Sequence, residues 1–341
     1  MKAALLFCQN WERLNVGINH SLTKALTEHN QAEKRNPYNG GMKKMLKRKS
    51  NKPVDARTAG ERIFEGGFFL CASVSILAVA LIMIFIFIKG VPALSQIGGF
   101  KFIFGTGWKP TSMQFGLAPM IVTSLITAVI SAVVGSVIGI LTACYMTDLA
   151  GKRGQRILRP CIDLLAGIPS VVYGFFGLVL LVPFIRSSIG GNGLSMLAAI
   201  IILSIMILPT VITITMDAIN AVPREYREGA LALGATPMHT LFSVVLPAAK
   251  KTILAGVVLG MGRAIGETMA VMLVSGNRPT MPGSVLDPIR TMTSNIALEM
   301  SYASGLHQEA LFATGVILFI FIMAINLGLR MLTRQKKEKA G

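Results

Sequence analysis

Charge is scarce in this sequence, and acidic charge scarcest. Of 341 residues only 14% are Asp, Glu, Lys or Arg, against about 25% in soluble globular proteins. So few charges cannot cover a water-soluble domain, and that class is excluded. Cysteine is sparse too: Cys8, Cys71, Cys144 and Cys161 form no C-x-x-C pair, giving neither a redox motif nor a disulfide framework. Four histidines are scattered without ligand spacing, so no metal site is expected. A G-x-x-x-x-G-K-[ST] phosphate cradle is missing altogether, which removes a nucleotide site of that type from the chain.

Apolar side chains make up the balance, at 52%. Several stretches of about 20 such residues can each cross a hydrocarbon core roughly 30 Å thick. The net charge of +17 raises the question of nucleic acid, but the basic residues are distributed differently. Thirteen of the 33 precede the first apolar stretch, and most others sit in short loops and the C-terminal tail. That is the positive-inside pattern of a polytopic membrane protein, not a nucleic-acid-binding face.

Residues 1–62 are basic, with Lys43, Lys44, Lys47, Arg48 and Lys49 holding that end in the cytoplasm. Two readings stand for this segment: a translation start at Met42 or Met45, or a cytoplasmic regulatory extension. A permease domain is expected over 63–335 and a basic cytoplasmic tail over 336–341. The expected spans are Phe68–Ile88, closed by Lys89-Gly90, then Gly116–Tyr145, Ile162–Phe184, Leu194–Met216, Thr252–Ser275 and Ala310–Leu332. In the second span Gly135 and Gly139 offer a small-residue face for close packing. Segments 89–115 and 276–309 fall outside. The basic run Lys152, Arg153, Arg156, Arg159 and the loop 217–251 fall inside. The fold class is therefore all-α, with six transmembrane helices and both termini cytoplasmic.

Residues 217–275 organise the rest. In the loop, Tyr226, Ala230 and Leu233 recur at helical spacing, Pro223 suits a helix start, and Gly234 with Thr236-Pro237 suits a helix end. A second short helix over His239–Val245 should stop at Leu246-Pro247. Such a pair is either an ordinary surface hairpin or a knob that seats in a groove of another protein. In the fifth span Arg263 and Glu267 stand one turn apart, where each charge costs roughly 2.5–3.5 kcal/mol. The bland reading is an internal ion pair; the functional one is anion handling, since a guanidinium presents planar donors to phosphate-like oxygens. Glu267 would then hold Arg263 when no anion is present. Gly260, Gly262 and Gly266 keep that face thin. In the third span Gly167-Ile168-Pro169-Ser170 should break the helix, as a packing kink or as backbone lining a path with Ser170 and Tyr173.

Three sets of residues carry a family resemblance. The pattern Glu228-Gly229-Ala230, Gly234, Val244 and Leu246-Pro247 resembles the Glu-Ala-Ala motif of ABC-importer permeases, departing at Gly229 (for alanine) and Val244 (for isoleucine). The stretches Ala166–Gly174, Gly260–Val271 and Ser304–His307 are similar to PstC-type permeases of phosphate-specific ABC importers, over about residues 60–335. The resemblance implies a bacterial inner-membrane, multi-pass permease subunit that imports inorganic phosphate. Glu228, Gly229, Ala230, Gly234, Leu246 and Pro247 would couple it to an ATPase; Arg263, Glu267, Ser170 and Tyr173 would line the substrate pathway. It implies no catalytic residue and no cofactor on this chain, ATP and Mg²⁺ being handled by a dimeric ATP-binding subunit. The further partners implied are a homologous PstA-type permease, in a heterodimer, a periplasmic or surface phosphate-binding protein, and the lipid bilayer. Alternatives are a permease for sulfate or molybdate, and a membrane signalling subunit reporting transporter state.

Overall fold

The computed structural model describes residues 59–333. All but the last four positions of the expected 1–62 segment, and the whole 336–341 tail, lie outside the described residues. The chain divides into two units, Met1–Ile76 and Leu77–Gly341. In the first, the described residues are helical, with Phe68, Phe69, Leu70, Val74 and Ile76 exposed. Ser75 satisfies its hydroxyl by donating to the Cys71 carbonyl at 2.9 Å.

Among the described residues, six helical segments are long and apolar enough to cross a membrane: Phe64–Ile97, Ala118–Leu149, Ser170–Ser188, Met196–Asn220, Pro237–Gly266 and Leu306–Gly328. The all-α, six-span architecture read from the sequence is the one observed. The helices are α1 (Ala59–Ile97), α2 (Gly99–Phe104), α3 (Ala118–Cys144), α4 (Lys152–Gly167), α5 (Ser170–Phe176) and α6 (Val182–Ser188). They continue with α7 (Met196–Asn220), α8 (Arg224–Ala232), α9 (Pro237–Thr240), α10 (Leu246–Gly266), α11 (Met269–Val274), α12 (Met292–Glu299) and α13 (Leu306–Thr333). A two-stranded ribbon, β1 (Trp108–Lys109) with β2 (Gln114–Phe115), pairs Trp108 opposite Phe115.

The fourth span, α7, is the centre of the second unit. Along one side it runs parallel to α3, because α3 presents small residues at every fourth position. A Cβ on Gly135 would fall 2.6 Å from the Ile207 side chain, and one on Gly139 would fall 2.9 Å from Val211. Ser131 and Ser204 seal the same seam, donating across it to the Ile200 and Ser131 carbonyls at 3.2 and 3.3 Å. This is close small-residue packing, the main source of helix adhesion where lipid removes the hydrophobic driving force. Along its other side α7 meets α10 in the opposite direction, at Gly256 against Ile214 and Gly260 against Ile207 and Val211.

Several boundaries differ from expectation, each for a local reason. The first helix does not close at Lys89-Gly90 but runs to Ile97. Gly90 is a packing residue there, its missing Cβ leaving room for the Phe312–Ala313 backbone at 2.9 Å. Leu246-Pro247 does not stop a helix either. The wider turn Leu241–Val245 immediately before it, with i→i+5 bonding, makes the chain continuously helical from Pro237 to Gly266. The expected third span begins too early, since residues up to Gly167 form the separate amphipathic helix α4. Finally, the expected fifth span ends at Gly266, and the chain restarts as α11 after Glu267 and Thr268.

Candidate functional site

Two helix breaks face each other in this protein, and the charged residues lie beside them. The first is Gly167-Ile168-Pro169, where proline lacks an N–H and forces the preceding residue extended, Ile168 having ψ 126. The second is Gly266-Glu267-Thr268, with Glu267 extended at ψ 130. The short helices restarting after the breaks, α5 and α11, cross so tightly that a Cβ on Gly174 would come within 2.7 Å of Ala270 Cα. Tyr173, Ala264, Ile265 and Ala270 join one buried cluster, with Leu165, Ile168 and Met261 against it.

Broken backbone at membrane depth needs partners for its polar groups, and side-chain hydroxyls supply them. Tyr173 donates to the Leu165 carbonyl at 2.7 Å, bridging the first break. At the second, Thr268 donates to the Gly266 carbonyl at 3.3 Å and Thr293 to the Glu267 carbonyl at 3.0 Å. The Glu267 carboxylate accepts from the Ala270 N–H at 3.2 Å, where it caps α11. Ser170 opens α5, which has no side-chain cap.

Arg263 is the exception. It is exposed in the last turn of α10, and among the described residues it makes no hydrogen bond or ion pair. The helix-internal pair with Glu267 is not formed, and Glu267 does not hold the guanidinium. The extended backbone at Glu267 breaks the one-turn register and commits its carboxylate to α11. What steadies the cation instead is the α10 C-terminus, whose carbonyl dipoles favour positive charge by about 0.3–1 kcal/mol. The three glycines do not share a face. Gly260 packs on α7, whereas a Cβ on Gly262 or Gly266 would meet open space. Next to Gly167, Ile168 and Pro169 lies an open hollow of about 580 Å³, also lined by Asp163. Arg263, Glu267, Ser170 and Tyr173 are thus brought to one region, where Glu267 and Tyr173 are bonded to backbone and the Arg263 and Ser170 side chains are left unengaged among the described residues.

The loop residues form a separate feature. No residue of α8 is buried. It ends at Gly234, whose φ of +86 suits a residue without a Cβ, with Ala235 N–H donating to the Ala230 carbonyl at 3.1 Å. Glu228 and Gly229 are exposed, and Leu233 is 91% exposed. Leu246 and Pro247 lie on the first turn of α10.

A third constellation escaped sequence reading. Arg290 donates to Glu299 at 2.6 Å, to Asn295 at 3.1 Å and to the Asn277 carbonyl at 2.8 Å. The other Glu299 oxygen accepts from Trp108 Nε1 at 2.8 Å and lies 2.8 Å from His307 Nε2. This knot joins the 89–115 and 276–309 segments. Trp108 and His307 are conspicuous singly, but 191 residues separate Trp108 from Glu299, and no local pattern links them.

Residues 135–338 match the family described as binding-protein-dependent transport system inner membrane component. Probable ABC transporter permease protein YqgH of Bacillus subtilis is 38% identical over 274 residues, covering 78% of this chain and 89% of that protein. Phosphate transport system permease protein PstC of Haemophilus influenzae is 32% identical over 300 residues, covering 82% and 95%. Among solved structures, a bacterial ABC transporter involved in the import of the acidic polysaccharide alginate superposes with a TM-score of 0.53. It covers 82% of this chain and 100% of its own at 17% identity, a likeness of fold alone.

Proposed function

The chain belongs to the family of binding-protein-dependent transport system inner membrane components, and from that premise we propose that it imports inorganic phosphate as the permease subunit of an ATP-driven transporter. The observation that carries the proposal is Arg263: an unpaired guanidinium beside two facing helix breaks, in a chain alike over most of its length to phosphate permeases. An anion arriving there would meet planar donors suited to its oxygens. Because Arg263 spends no hydrogen bond on the protein, binding it requires no internal pair to be broken. Glu267 adds repulsion toward a fully ionised anion, which would discourage tight trapping. Ser170 and Tyr173 complete the lining.

The open face with Gly262 and Gly266 is where a homologous PstA-type permease would approach, closing the pathway in a heterodimer. The positive-inside distribution of the basic segments supports a cytoplasmic side for both termini and the 217–251 loop. There α8, with no buried residue, would dock on a dimeric ATP-binding subunit through Glu228, Gly229, Ala230 and Gly234, followed by Leu246 and Pro247 at the start of the fifth span. Closure of that ATPase would move α8 and rock the spans around Arg263, while a phosphate-binding protein delivers substrate from the other side. The permease itself catalyses no reaction.

The test is ATP-dependent uptake of radiolabelled phosphate into vesicles by the complex carrying wild-type chain or Arg263→Gln, with sulfate and molybdate as competitors. Complex assembly is measured in parallel. The expected result is phosphate uptake that sulfate and molybdate leave unchanged, lost in an Arg263→Gln complex that assembles normally. Normal transport by Arg263→Gln would remove the site assignment, and preferred uptake of sulfate or molybdate would remove the substrate.

A further inference from the structure

Helix α8 has no buried residue, and yet it is tied to a membrane span that is remote in sequence. Arg227 Nη1 forms an ion pair with Asp148 Oδ1, in the wide turn Tyr145–Leu149 that ends the second span. The two side chains are 29% and 17% exposed. Thr147 contacts the other Asp148 oxygen at 3.4 Å, and Gln155 of α4 grips the same turn by donating to the Met146 carbonyl at 2.7 Å. Beneath the pair lies a cavity of about 130 Å³ bordered by Leu149, Leu231, Met238 and Val245. Apolar packing between α8 and the second span is therefore incomplete here, and the charged contact bridges what the packing leaves open.

We infer that the Arg227–Asp148 pair is a strut carrying α8 movement into the second span. Without it, α8 would pass its displacement along the chain, through residues 221–223 into α7 and through Gly234 and α9 into α10, and by packing on the Leu241–Val245 turn, with no direct tie of its own to the second span. With it, the end of α3 moves as well, and α3 is locked along Gly135 and Gly139 to α7. One push on α8 would thus reach the second, fourth and fifth spans together. The inference rests on the reading of α8 as the contact for an ATPase.

The test uses the full transporter in proteoliposomes, with Arg227→Gln, Asp148→Asn and the reversal carrying Arg227→Asp and Asp148→Arg. ATP hydrolysis and phosphate uptake are measured on the same sample. Each single variant should keep hydrolysing ATP but lose about tenfold in phosphate moved per ATP, within the usual range of coupling between sites. The reversal should recover most of that loss. Unchanged phosphate per ATP in the single variants overturns the strut. So does a loss accompanied by failed assembly that the reversal leaves unrepaired. A second measurement needs no substrate: spin labels at Leu141 and Leu233, both exposed, report their separation without nucleotide and with ATP. A strut keeps the separation constant in the wild type and lets it vary in Arg227→Gln. A wild-type separation that changes as much as the variant's overturns the inference. If labels and hydrolysis behave as expected while phosphate is not transported, the strut stands and the substrate reading fails.

Discussion

Arg290 lies in the segment between the fifth and sixth spans and Arg263 in the last turn of the fifth, and the protein treats the two arginines in opposite ways. Arg290 is surrounded: Glu299, Asn295 and the Asn277 carbonyl take its donors, and only 15% of its side chain is exposed. Arg263 is exposed and makes no hydrogen bond or ion pair among the described residues. A buried charge that is fully partnered fixes a structure, because any rearrangement would strand an ion. One left unpartnered at membrane depth does the reverse, keeping its binding capacity for something that is not part of the chain. Stability and transport should therefore separate cleanly between the two sites.

The largest stability effect belongs at Arg290. Arg290→Met removes the cation and leaves the buried Glu299 carboxylate with only Trp108 and His307 as partners, a change expected to cost about 3–5 kcal/mol. Thermal unfolding in detergent and the yield of folded protein would show it, and transport would fall in proportion to yield. If Arg290→Met is as stable as the wild type, the contrast between the two arginines is false at its better-defined end.

Tyr173→Phe sits between the extremes. It deletes the 2.7 Å bond to the Leu165 carbonyl but keeps the ring in the core, so about 1 kcal/mol should be lost. Uptake should drop without vanishing, because the first break loosens while Arg263 remains. Full retention of both stability and uptake would mean that the hydroxyl does not hold the break.

How far these sites could be read in advance depended on the distance of the partners. The six spans were legible because apolar runs of sufficient length are a property of the sequence alone. The break at Pro169 and the end of α8 at Gly234 were legible too, since proline and glycine act on their own backbone. The break at Gly266–Thr268 was not, because no proline marks it and one of its stabilising hydroxyls, Thr293, is 26 residues away. The same limit hid the Arg290 knot, and it made Arg263 and Glu267 look paired when only their spacing suggested it. Leu246-Pro247 misled in the other direction. A proline read as a stop is accommodated by the wide turn before it.

Arg263→Gln should have the smallest effect on stability of the three, and that is its value. With no partner to strand, the substitution loses only the modest helix-end interaction, and stability should stay within about 0.5 kcal/mol of the wild type. Uptake should nevertheless be lost. That combination cannot come from a structural ion pair, whose removal would lower stability by leaving the other charge alone. Arg263→Lys sharpens the point, because it keeps the charge and the helix-end interaction but loses the planar fork. If lysine restores uptake fully, Arg263 acts as a point charge that attracts the anion. If lysine is as inactive as glutamine in a stable, assembled complex, the geometry of the guanidinium itself is what the anion requires.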